Sequence, residues 1–198
     1  MALSPTSRGA GLPSNAAATK PATPAHDGER RTASSGESRQ IDVLHNANGL
    51  VIATWKNVAI HVWTAEATRA LVDTLDQHSA PFTRAHPERV SSIHIIGKNA
   101  PLPSADVREQ LQQLTKRYAS HIAALCHVVE GSGFWASALH GFLTGLHWLI
   151  RGSFQLKTCA DIESAARWVP SHHLRETHVA IGINELEEVL RHVRRLAD

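Results

Sequence analysis

Long apolar runs are missing from this chain. The longest candidate, Phe134 to Ile150, has 17 residues and is broken by His140, Gly141, Gly145 and His147. A helix that crosses a bilayer needs about 20 apolar residues, so this stretch reads as the buried helix of a soluble protein. Before residue 40 every short run is interrupted by Ser, Pro, Gly or Thr; no secretory signal is expected, and a reducing cytoplasm is the expected compartment. Cysteine is scarce too: Cys126 and Cys159 stand alone, 33 residues apart. That spacing builds neither a zinc knuckle nor a redox motif, and it suits two small core residues. A basic surplus is also lacking. The 20 Lys and Arg nearly balance the 18 Asp and Glu, and the excess falls within residues 1–40, leaving 15 against 15 beyond. Nucleic acid is therefore not an expected partner. There is no P-loop, dinucleotide fingerprint, HExxH or CxxC.

What is present divides unevenly. Of the first 40 residues, 26 are Ala, Ser, Thr, Pro or Gly, and the only large aliphatics are Leu3 and Leu12. Such a segment buries too little surface to offset its ordering entropy and is expected to be a disordered tail. From Ile41 the pattern changes. Ile41–His45, Leu50–Trp55 and Val58–Trp63 are short apolar runs separated by Asn48-Gly49 and Lys56-Asn57, which predicts an antiparallel meander of three strands. In the third, Val58, Ile60 and Val62 share one face and Ala59, His61 and Trp63 the other.

Thr64 is then expected to cap a helix with Ala67, Ala70, Leu71 and Leu75 on its apolar stripe. A loop containing Pro81 and Pro87 follows, and Val90–Ile96 reads as a strand. Pro103-Ser104 opens a second helix whose apolar face is Val107, Leu111, Leu114, Tyr118 and Ile122. Ala123–Val129 reads as a central parallel strand, Phe134 to about Ile150 as an apolar helix, and Phe154–Thr158 as a last strand. Asp161 begins a helix expected to stop at Pro170.

The predicted fold is a single α/β layered domain over 41–170. It starts with three antiparallel strands and continues with parallel strands joined by right-handed crossovers. Residues 171–182 are a connector. The amphipathic C-terminal helix, 183–198, has Asn184 and Glu187 at capping-box spacing and a stripe of Ile183, Leu186, Val189, Leu190, Val193 and Leu196. That stripe docks in cis or forms a homodimer.

Fourteen histidines are the compositional oddity. His61, His94 and His127 each fall late in a strand, so they line up as a row if those strands are neighbours in matching register. Three imidazoles suit zinc, but nothing in the spacing forces convergence and no metal site is expected. His140 and His147 share a helix face as packing residues. His172, His173 and His178 fall on the connector and are expected to be exposed. Ser132, His127 and Glu130 assemble a nucleophile, base and acid on paper, without the G-x-S-x-G context of a nucleophile elbow. Gly131-Ser132-Gly133 is a tight turn whose following helix start offers free amides to a small anion.

The three-strand start and crossover pattern, the run Val128-Val129-Glu130-Gly131-Ser132-Gly133-Phe134-Trp135 and the run Asp161-Ile162-Glu163-Ser164-Ala165-Ala166-Arg167-Trp168-Val169 resemble bacterial STAS/SpoIIAA-like domains over residues 41–169. The resemblance implies a non-catalytic regulatory module that binds a protein partner, with no cofactor. It implies a partner surface on the loop 97–104, at Lys98, Asn99 and Ser104. The phosphorylated serine of the antagonist branch lies in an Asp-Ser-Ser/Thr-Gly turn that this loop lacks, so Ser104 is expected to be a helix cap worth about 1 kcal/mol. The other open reading is a small-ligand or lipid-binding domain of lipid-carrier-like type, using the apolar helix and adjacent sheet as a pocket. A hydrolase or metal enzyme stands third.

Overall fold

A computed structural model describes residues 40–98, 100–149 and 154–198, so the N-terminal tail expectation, apart from Gln40, lies outside the described residues. Asn48 and Gly49 both have positive φ, at 54° and 77°, and join β1 (Asp42–Ala47) to β2 (Leu50–Trp55) by the two-residue turn that matches strand twist. Only glycine fits there, since a Cβ on Gly49 would lie 2.3 Å from the Ala65 Cβ. Lys56, also at positive φ, turns the chain into β3 (Val58–Trp63).

From β3 onward each strand adds in parallel beside the last. β4 (Val90–Ile96), β5 (Ile122–Val129) and β6 (Gln155–Cys159) complete a six-stranded sheet in the order β1-β2-β3-β4-β5-β6. Three crossovers that advance in one direction put their helices on one face. These are α1 (Arg69–Ala85), α2 (Ala105–Tyr118) and α3 (Phe134–Leu149). Leu71, Val72 and Leu75 of α1 and Val107 and Leu114 of α2 pack with Leu50, Ile52 and Trp63, while Leu139 and Leu143 of α3 pack with Val129. The opposite face carries α4 (Ile162–Thr177) and α5 (Ile183–Arg195) over Val51, Ile60, Ile93, Cys126 and Val128. Among the described residues no helix is long and apolar enough to cross a membrane.

Several boundaries differ from the sequence expectation. The cap of α1 is Thr68, whose side chain accepts from the Leu71 amide at 3.3 Å; Thr64 instead hydrogen-bonds the Gly49 carbonyl. Ala70 consequently faces solvent. Neither internal proline ends its helix. Pro81 lies exposed within α1, and beyond it Thr83 is buried. α4 runs through Pro170 because the turns beyond it bury His173 and Thr177, and this burial outweighs one lost helix bond at about 3 kcal/mol. The connector therefore shrinks to 178–182. His173, expected on the surface, is fully buried, with Nδ1 2.8 Å from the Ser91 Oγ of β4. Ile122 opens β5 after a single 3₁₀ turn, Ala119–His121, and does not extend α2.

The stripe of α5 is buried in cis. Leu186 and Leu190 are 0% exposed, with Val189 and Val193 beside them. The cap is Gly182, whose amide donates to the Glu185 carboxylate, and not the Asn184/Glu187 pair; Glu187 binds Arg191. Polar tethers fix the helix to the sheet: Lys56 to Glu185 at 3.2 Å and Arg194 to Glu130 at 2.9 Å. Cys126 and Cys159 are both buried, and their sulfurs lie 3.7 Å apart.

Candidate functional site

Parallel pairing turns three scattered histidines into a row. His61 is the register partner of His94, and His94 of His127. Ring centroids are 4.4 Å apart for the first pair and 5.4 Å for the second. Strand alternation points all three toward α1–α3, with His61 4% and His127 5% exposed. The row continues to Thr158 of β6.

Hydrogen bonds fix which nitrogen of His94 carries its proton. The Trp63 indole can only donate, and it donates to His94 Nδ1 at 3.3 Å. Neutral His94 therefore keeps its proton on Nε2, which lies 3.1 Å from Ser92 Oγ. The Ser92 hydroxyl is left to donate toward His61 Nδ1, at 3.5 Å. His127 stands outside this relay. Its Nδ1 is buried and has no hydrogen-bond partner among the described residues.

All three rings are held neutral. Burial lowers His61 and His127 to about 3, and the neighbouring His94 pushes His127 the same way. His94 is lowered well below its ordinary value by burial and then by His61. Both nitrogens of His94 are engaged, so the row does not converge on one point. Among the described residues no group of three His, Cys, Asp or Glu side chains is placed to hold a metal ion.

Above the row lie two small apolar cavities. The first, of about 80 Å³, has His94 and His127 on its floor, Leu111 and Thr115 of α2 and Leu139, Phe142 and Leu143 of α3 as walls, and Ala65, Pro101 and Pro103 at its rim. The second, of about 70 Å³, lies over His61 and Ser92 and shares His94, Leu111 and Thr115 with the first.

The loop singled out in the sequence thus borders a site, but through other residues. Ala100, Pro101 and Pro103 line the cavity, while Lys98 and Ser104 are exposed and Asn99 lies outside the described residues. Ser104 occupies the cap position of α2 without capping it. Its hydroxyl donates to Asp106, and this bond, with Arg69, lowers the Asp106 carboxyl to about 2. Trp135 Nε1 donates to the Ala100 carbonyl at 2.8 Å and ties the loop to the turn 131–133. In that turn Gly131 and Gly133 have positive φ, and a Cβ on Gly131 would press on Lys98 at 3.1 Å. Tight packing accounts for the glycine there.

The other candidates separate. Glu130 points to the α5 face and pairs with Arg194, His127 lies on the opposite face, and Ser132 is exposed on its turn. No catalytic triad forms from them. His140 bonds its own helix at the Ala136 carbonyl, and the side chain of His147 lies outside the described residues. His172 stacks on Trp168, and His178 ends α4 in the left-handed conformation. Sequence reasoning missed Trp63 as the donor that orients His94; it offered the apolar helix as a pocket wall without singling out Leu139, Phe142 and Leu143.

No protein-family model and no curated protein matches this chain.

Proposed function

We propose that this domain is a non-catalytic binding module whose ligand is a small, largely apolar molecule held between the sheet and α1–α3. The observation that carries this reading is the uncharged lining of the cavity over His94 and His127, which has Leu111, Leu139, Phe142 and Leu143 as walls and no Asp, Glu, Lys or Arg. Burying apolar surface is favourable by about 25 cal/mol per Å², so a neutral, apolar ligand that fills the void needs no counter-charge.

The STAS/SpoIIAA resemblance belongs to the same proposal, since it is supported by the α/β sheet with its antiparallel start and parallel continuation. The resemblance itself suggests a second function, capture of a protein partner. One observation favours it: Phe134 is 91% exposed at the start of α3, next to the turn that packs on loop 97–104. The two readings separate by substitution. Phe134→Ser would abolish partner capture and leave small-molecule binding intact.

The test is thermal unfolding with and without toluene. Saturation at about 100-fold over Kd stabilises a protein by about 2.7 kcal/mol, a rise in Tm of several degrees for a domain of this size. Leu143→Trp, which fills the cavity, is expected to remove that rise. No rise in the wild type with toluene or similar one-ring hydrocarbons would count against the pocket reading.

A further inference from the structure

The chain has two cysteines, 33 residues apart in sequence, and the fold brings their sulfurs within 3.7 Å of each other. Cys126 lies on β5 and Cys159 ends β6, the last strand of the sheet. Both side chains enter the core on the α4 face, beside Ala165, Ala166 and Val169. Apolar contact alone does not require that the two thiols meet.

Three chemistries are open to a pair of thiols. Structural zinc takes four ligands, and among the described residues no group of three His, Cys, Asp or Glu side chains is placed to hold a metal ion. Two thiolates left in an apolar cluster would bury unpaired charge. A disulfide removes both S–H protons and leaves a neutral bond, which apolar surroundings accept.

Register decides what kind of disulfide can form. Cys126 is opposite Lys157 and Cys159 opposite Val128, so the bridge runs diagonally between the strands. Diagonal positions stand at or beyond the usual Cα span of a disulfide, about 4.4–6.8 Å. Closing the sulfurs from 3.7 Å to about 2.05 Å therefore draws the end of β6 toward β5. β6 is bonded to β5 alone and can yield. A bridge closed under strain is readily reduced again, as regulatory disulfides are and structural ones are not.

The two sulfurs are not equivalent. Cys126 is 0% exposed, whereas Cys159 is 4% exposed and is followed by the exposed Ala160 and Asp161. Cys126 Sγ donates to Cys159 Sγ. That bond, with Lys157 nearby, lowers the Cys159 thiol below its ordinary value; the same bond and burial raise Cys126. Thiolate character and access both favour Cys159 as the attacking sulfur.

We infer that Cys126 and Cys159 are a reversible redox pair, which a hydroperoxide converts to an intramolecular disulfide. The Cys159 sulfur attacks the peroxide and its O–O bond breaks. One oxygen leaves as water or alcohol and the other stays on Cys159 as a sulfenic acid. The Cys126 thiol then attacks the Cys159 sulfur and expels that oxygen as water, closing the S–S bond. In all, the two sulfurs give two electrons and two protons to the peroxide.

The experiment treats the folded, reduced full chain with hydrogen peroxide, blocks remaining thiols with iodoacetamide in denaturant and measures the intact mass. The wild type is expected to lose the mass of two hydrogen atoms, to take up no iodoacetamide and to give a tryptic species joining 118–151 to 158–167. The rate should not change when the protein is diluted, and an excess of reduced glutathione should restore both thiols. Two alkylated thiols after peroxide, sulfinic acid without a bridge, or bridged dimers would overturn the pair. A bridge that glutathione cannot open would overturn its reversibility. Dimedone, which traps sulfenic acid, should label Cys126→Ser and not Cys159→Ser; the reverse pattern would overturn the order of attack. The wild-type masses decide the pair even if neither variant folds.

Discussion

Acidification from pH 7 is expected to unfold the domain cooperatively with a midpoint between about pH 4.5 and 5.5, above the ordinary carboxylate values. Burial lowers His61 and His127 to about 3, His173 to about 4 and His94 well below its ordinary value. Unfolded histidine titrates near 6.5. Between these values the unfolded chain binds protons that the folded chain refuses. The stabilisation is therefore full above about pH 6.5 and is lost as pH falls toward the folded values. Each such histidine contributes a slope of about 1.4 kcal/mol per pH unit within that window.

Three in one row add about 4 kcal/mol per unit, against a whole stability of about 5–15 kcal/mol for a domain. At the full slope the fall from pH 6.5 to about pH 3 removes about 14 kcal/mol, most of that range. Circular dichroism during acid titration checks this. His127→Leu removes one titrating ring without deleting a partner of Nδ1, so its midpoint should fall while stability at pH 7 stays equal or rises. A wild type still folded at pH 3, or a midpoint unmoved by the substitution, would contradict the account.

The second large effect concerns α5. Leu190 is wholly buried where α5 meets β2, β3 and α4. Leu190→Ala should cost about 2–5 kcal/mol. Leu190→Asp adds an unpaired buried charge and is expected to abolish the cooperative fold at neutral pH. Ile183, on the same helix but 46% exposed, is the control: Ile183→Asp at the helix start should change stability by less than about 1 kcal/mol. Urea denaturation separates the two. Equal behaviour of the two variants would mean that α5 does not complete the core.

Much of this architecture was legible from residues alone, because period-two runs and Asn-Gly punctuation specify strands locally. The alternation in β3 placed His61 and Trp63 on one face and Val58, Ile60 and Val62 on the other, as the structure has them. The histidine row was legible only as a condition. Each imidazole's place late in its strand can be read locally, whereas the register between parallel strands is set by crossover helices some 20 residues away.

The helix ends misled for a related reason. Pro170 carries a local stop signal, and tertiary burial of His173 and Thr177 overrides it. At loop 97–104 the reading favoured polar tips, Lys98, Asn99 and Ser104, since loops commonly recognise partners through polar groups. Here the apolar members, Ala100, Pro101 and Pro103, turn inward to the cavity. A loop with three prolines or alanines beside an uncharged helix was the signal available, and it points to a pocket wall as readily as to a surface.

The central claim is an accessible, apolar cavity above the histidine row, and xenon tests it most directly because it enters dry apolar cavities and has no polar chemistry of its own. In crystals pressurised with xenon, the account predicts a strong peak in contact with Leu139, Leu143 and the His127 ring. Side chains of α2 and α3 closed onto the imidazoles, with no xenon above them, would contradict it.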